Sequence, residues 1–120
     1  MTLVKLALDL WQTFGVPAKE ATQSLLPLLR GTVNNIENIG LPNCLTGPIS
    51  RGDLGTIKRH LATLEAQDSS LFTIYRELGL ETIPIALAKG KIDGNKAREL
   101  KALLNDYCFV PAFHNNKKEA

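Results

Sequence analysis

The residue types best suited to chemistry are gathered in one stretch, from Thr46 to His60. Thr46, Gly47, Ser50, Arg51, Asp53, Thr56 and His60 bring hydroxyls, a guanidinium, a carboxylate and an imidazole close together in the chain. On a helix starting near Asp53, positions 53, 56 and 60 fall at steps of three and four. They therefore share one face, beside the apolar stripe of that helix rather than opposite it. Arg51 precedes them in a loop that can turn backbone N–H groups toward a ligand at the helix N-terminus. A cation, loop N–H groups, a hydroxyl and a titratable imidazole together suit an anionic or carbonyl-bearing small molecule. A plainer reading stands beside this one and is favoured by spacing alone. In it Asp53 caps the helix, Thr56 lies on its surface, and His60 is a partly buried histidine held by a backbone carbonyl.

Other chemistries find less support. Cys44, His60, Cys108 and His114 lack the short paired spacings of a metal site, and the chain has neither a glycine-rich phosphate loop nor a G-x-S-x-G turn. Arg51-Gly52-Asp53 spells the cell-adhesion tripeptide, but no secretory segment accompanies it. Lys58, Arg59 and the scattered Lys and Arg near the C-terminus read as solvated helix faces. The two cysteines, far apart and in apolar surroundings, read as reduced thiols of a cytoplasmic protein.

Composition narrows the function classes. The chain has 120 residues, 44% of them hydrophobic and 6% aromatic, with a formal net charge of +2. This length supports one core but not a core plus a cofactor-binding domain of usual size. The interspersed charges give no strong basic field, so nucleic acid is not an expected partner. The connection between the second and third helices is also too long for a tight helix-turn-helix. Lys5 and Asp9 interrupt the apolar N-terminal run, which supports neither a signal peptide nor a membrane span.

The elements that must position these residues are helical. Leu3, Leu6, Ala7, Leu10, Trp11 and Phe14 recur at helical steps up to Gly15, without an N-terminal cap and with an apolar surface wide enough to need neighbours on more than one side. Pro17 opens a second helix with Ala18, Ala21, Leu25, Leu28, Leu29, Val33, Ile36 and Ile39 on its stripe, kinked near Pro27 and ending at Gly40. The stretch from Gly40 to Gly52 reads as a loop. Ser50 or Asp53 caps a third helix carrying Leu54, Ile57, Leu61 and Leu64. Asp68 caps a fourth with Leu71, Ile74, Tyr75 and Leu78 inward, which Gly79 and Pro84 should bend or divide before Gly90 ends it. Asp93 caps a last helix with Ala97, Leu100, Leu103 and Leu104 inward. The expectation is an all-α bundle of about five helices, forming one domain over residues 1–108 with a frayed tail at 109–120.

Two runs carry a family resemblance. They are Ser24-Leu25-Leu26-Pro27-Leu28-Leu29-Arg30-Gly31-Thr32-Val33-Asn34-Asn35 and Leu45-Thr46-Gly47-Pro48-Ile49-Ser50-Arg51-Gly52-Asp53-Leu54-Gly55-Thr56-Ile57-Lys58-Arg59-His60-Leu61. The chain, from about Leu3 to Leu87, resembles the helical C-terminal domain of unknown function that follows a Rossmann-like NADP-binding domain in predicted oxidoreductases. That resemblance implies a fold similar to the C-terminal domains of 6-phosphogluconate dehydrogenase, ketopantoate reductase and pyrroline-5-carboxylate reductase. In such enzymes the domain forms the dimer and closes the substrate side of the cleft. By analogy of fold, the loop from Thr46 to Asp53 faces the nicotinamide end of the cofactor.

The resemblance also has departures. Relatives carry a dinucleotide-binding half first, with a His and an Asn upstream of the position of Met1. With no G-x-G-x-x-G unit in these residues, the chain is expected to bind no NADP by itself and to start inside the first helix of such a domain. The expected role is therefore a homodimerising, substrate-side domain that works with a Rossmann-type domain in cis or in trans. The competing expectation is a stand-alone helical module that docks a partner protein through the Thr46 to His60 surface.

Overall fold

The computed structural model describes residues 1–107, all helix and connecting turns, with no strand among them. Six helices follow in order: α1 (Thr2–Gln12), α2 (Ala18–Asn38), α3 (Pro48–Arg51), α4 (Leu54–Gln67), α5 (Ser69–Lys89) and α6 (Gly94–Asp106). The expected all-α architecture is therefore present, with one short helix more than the periodicity suggests. The expected frayed tail, together with Cys108 and His114, lies outside the described residues. The described residues of the chain form two compact units, one over Met1–Leu45 and one from Thr46 onward.

The first unit is a helical hairpin in which α1 packs on α2. As its sequence suggests, α1 begins at Met1 with no side-chain cap. The connection passes through Gly15 at φ +78°, a left-handed conformation open to glycine at no steric cost. From Pro17 the chain enters α2, which continues as one helix through Pro27. Ala21 is the buried residue of this unit, while Leu6, Ala7, Leu10 and Leu25 are half-buried. Leu3, Trp11, Phe14, Leu26, Leu28, Leu29, Val33, Ile36, Ile39 and Leu41 remain exposed. The stripes drawn by periodicity are thus helical faces without a core of their own.

The second unit holds a conventional core. Three aspartates start its three long helices: Asp53 accepts from the Thr56 N–H, Asp68 from those of Ser70 and Leu71, and Asp93 from that of Lys96. Each satisfies donors that the first helical turn leaves without partners. α5 packs against α3, α4 and α6, and α4 also meets α6. Ile57 and Leu61 from α4 and Leu100 and Leu104 from α6 are the largest fully buried side chains. Ile49, Phe72, Ile83, Ala86 and Ala97 complete this interior.

Two expectations are corrected here. The stretch from Gly40 to Gly52 is not all loop. Gly47 at φ +99° leads Pro48 into the first position of α3, where its fixed φ suits a helix and its missing N–H costs no bond, and Gly52 at φ +67° ends the element. Of the bend or break expected at Gly79 and Pro84, the break does not occur: α5 runs unbroken over 21 residues. Gly79 is a close-approach residue: a Cβ there would stand 3.2 and 3.3 Å from the two Leu104 methyls and 3.5 Å from Ile49 Cδ1. The inward register of α5 consequently runs through Phe72, Gly79, Ile83 and Ala86. Leu71, Ile74 and Tyr75 are half-buried instead, and Leu78 is exposed.

Candidate functional site

The seven residues singled out by their chemistry all fall in the second unit, around α3 and the start of α4. Thr46 is exposed before α3, Gly47 forms the turn into it, and Ser50 is buried within it at 2% exposure. The hydroxyl of Ser50 therefore does not face outward. Asp53, not Ser50, caps α4.

Around Asp53 the side chains form a short chain of hydrogen bonds. Its Oδ1 accepts from the Thr56 backbone N–H at 3.0 Å, and its Oδ2 accepts from Thr56 Oγ1 at 2.7 Å. Arg59 Nη2 donates in turn to Thr56 Oγ1 at 2.9 Å, and Arg51 Nη2 lies 3.9 Å from Asp53 Oδ2. Thr56 thus spends its one hydroxyl proton on Asp53. The plainer reading therefore holds for the capping role of Asp53, and Thr56 is its second donor. What remains available to a ligand is cationic: the guanidinium of Arg51 and that of Arg59, which sequence reasoning assigned to the solvated face.

These bonds hold the Asp53 carboxyl below its ordinary pKa. The Thr56 hydroxyl contributes most and the Thr56 N–H next; partial burial opposes them, while Arg51 and Arg59 add attraction. A carboxyl with a depressed folded-state pKa stabilises the fold above its unfolded value, near ~3.9, and that contribution is lost as pH falls through the folded value. Asp53→Ala is accordingly expected to melt below the parent protein at pH 7. The gap should close in thermal melts taken at progressively lower pH, once Asp53 in the parent is protonated. A gap that persists unchanged below pH 3 would show that the cap does not act through the ionised carboxylate.

His60 turns to a different partner. Its Nδ1 is 2.9 Å from the hydroxyl of Tyr75 on α5, with the rings edge to face at 5.7 Å. Tyr75 is half-buried, and burial raises the pKa of its phenol. The expectation of a backbone carbonyl partner for His60 is therefore corrected: a phenol holds it, and the ring is exposed. Tyr75 could not be found by spacing within one helix, because it comes from the next.

Sequence reasoning also missed a groove of about 500 Å³ between α5 and α6. It is lined by the apolar Leu80, Ile83, Pro84, Leu87 and Ala97 together with the charged Glu81, Arg98 and Lys101. None of the seven candidates lines it. Among the described residues no group of His, Cys, Asp and Glu side chains is placed to hold a metal ion, and no helix is long and apolar enough to cross a membrane. Cys44 is a half-buried free thiol.

A family model described as a domain of unknown function (DUF2520) matches residues 1–82, from α1 into α5. No curated protein and no solved structure matches the chain.

Proposed function

The chain belongs to the family of the domain of unknown function DUF2520, and on that premise we propose that it is the dimer-forming, substrate-side domain of an NADP-dependent oxidoreductase. The observation that carries this reading is the surface of the first unit, where many large apolar side chains are exposed and Ala21 is the one buried residue of α1 and α2. Large apolar side chains left exposed in this number favour an interface, and a second copy of the same chain is a common partner. In the proposed homodimer, Leu3, Leu6, Leu10 and Trp11 leave water together with their neighbours on α2.

The remainder of the proposal is supported by the resemblance to helical domains that follow Rossmann-like halves. NADP belongs to that other half, joined in cis or meeting this chain in trans. The surface from Thr46 to His60 then closes the substrate side. Asp53 and Thr56 hold the start of α4, while Arg51 presents a cation to an anionic or carbonyl-bearing substrate. The exposed ring of His60, oriented by Tyr75, is within the same surface as a proton-carrying group.

The experiment combines this chain with the NADP-binding half encoded upstream of it or beside it and follows NADPH oxidation. Arg51→Ala is expected to lower kcat/KM by at least about tenfold, or about 1.4 kcal/mol of transition-state stabilisation, with the melting temperature unchanged. Full turnover in that variant would remove Arg51 from the substrate side. If no half of this kind exists, the stand-alone interaction module is the better account.

A further inference from the structure

The two helices of the hairpin are unequal, and the excess lies on α2. α1 has 11 residues and α2 has 21, so at 1.5 Å per residue they span roughly 16 and 31 Å. Running back along α2 from the turn at Gly15, α1 reaches only its first half. Ala21 is buried and Leu25 half-buried, whereas Val33 is 61%, Ile36 50% and Ile39 57% exposed.

A specific pattern runs along α2 into its uncovered half. Thr22, Leu26, Leu29, Val33 and Ile36 follow one another at steps of four, three, four and three. Those steps have the 3.5-residue spacing of a coiled-coil seam, set within a broader apolar stripe that also holds Leu25, Leu28 and Ile39. Arg30 and Glu37 each directly follow a seam residue, Leu29 and Ile36, so they lie on the same edge of the seam one heptad apart. Neither has an ion-pair or hydrogen-bond partner among the described residues. The opposite edge carries Leu25, Thr32 and Ile39, which have no charge.

That asymmetry selects an orientation. When two copies of a helix pair in parallel, each edge meets the opposite edge of its neighbour, and Arg30 and Glu37 would face Leu25 and Thr32. When they pair antiparallel, each edge meets its own equivalent running in reverse. A two-fold axis between Val33 and Ile36 then sets Arg30 of one copy beside Glu37 of the other, twice. The same axis places Val33 against Ile36 of the second copy, twice, and packs Leu29 beyond them near Gly40. We infer that the chain dimerises by antiparallel pairing of the second half of α2 with that of a second copy, with reciprocal Arg30–Glu37 ion pairs setting the register.

This inference rests on the proposed dimer and adds a contact on α2 to the α1 residues assigned to it. Sedimentation equilibrium of the full chain, at several concentrations, compares the parent with Arg30→Glu, Glu37→Arg and the double exchange. Each single exchange places two like-charged pairs across the axis and is expected to weaken dimerisation by about tenfold or more. The double exchange restores two opposite-charge pairs and should return the dissociation constant to within about threefold of the parent's. Circular dichroism melts at fixed concentration confirm that all four chains fold, as both positions are exposed. A parent dimer insensitive to all three changes overturns the antiparallel register while leaving the dimer in place. A parent that is monomeric throughout overturns both.

Discussion

Replacing Ile36 by aspartate is expected to turn the chain into a monomer without unfolding it. Ile36 is half exposed within its own chain, so in the monomer a carboxylate at that position stays in water and alters stability little. In the dimer the same carboxylate enters the apolar seam twice, against Val33 of each second copy. An ionised group moved from water to an apolar contact without a partner costs several kcal/mol. Even about 3 kcal/mol per dimer raises the dissociation constant by more than a hundredfold. Sedimentation velocity would report a single slow species at concentrations where the parent is dimeric, with the helical spectrum retained. Unchanged association in Ile36→Asp would place the interface elsewhere. Because the hairpin buries no large side chain of its own, protection of its amides from hydrogen exchange should also fall with the loss of the partner.

Leu100→Ala is expected to act in the opposite way, costing stability without touching association. Leu100 on α6 is fully buried with Ile57, Leu61 and Leu104, where α4 and α6 meet beside α5. Truncation to alanine there loses the transfer free energy of the removed carbons and leaves a cavity, together about 3 kcal/mol. Small domains have only about 5 to 10 kcal/mol in total, so this is a large share of what holds the second unit together. The urea midpoint monitored for that unit should fall at an unchanged slope, while the oligomeric mass stays that of the parent. A loss below about 1 kcal/mol would mean that α6 is not part of the core.

The contrast between these two variants also explains which parts of the fold are readable in the sequence. In α4 and α6 the apolar residues are few and confined to one side, so the inward positions Ile57, Leu61, Ala97, Leu100 and Leu104 follow from spacing. The aspartates that start α4, α5 and α6 are equally legible, since a short acceptor before an apolar-periodic run has few other uses. α5 is different, because apolar residues surround it and several registers satisfy the same period. The true register depends on Gly79 admitting Leu104 and Ile49, a fact about neighbouring helices and not about α5. α3 was hidden by its own punctuation: Gly47, Pro48 and Gly52 spell a loop to a composition count, although glycine before and proline at the first position also open a helix.

The candidate site divides along the same line. The Asp53–Thr56 pair was legible because it lies within one helical turn. The Thr56–Arg59 bond depends on which rotamer Arg59 adopts, and the His60–Tyr75 pair on how α4 packs against α5, so neither could be read from spacing. In the hairpin, periodicity located the apolar faces but could not distinguish a face that meets its own chain from one that meets a second copy.

That distinction is the centre of the account, and the mass of the full chain in solution tests it most directly. Light scattering or sedimentation equilibrium at micromolar to tens of micromolar concentration should give twice the chain mass of 13.1 kDa, dissociating on dilution. A mass of 13.1 kDa at every concentration would contradict it, because the exposed apolar side chains of the first unit would then have no second copy to cover them.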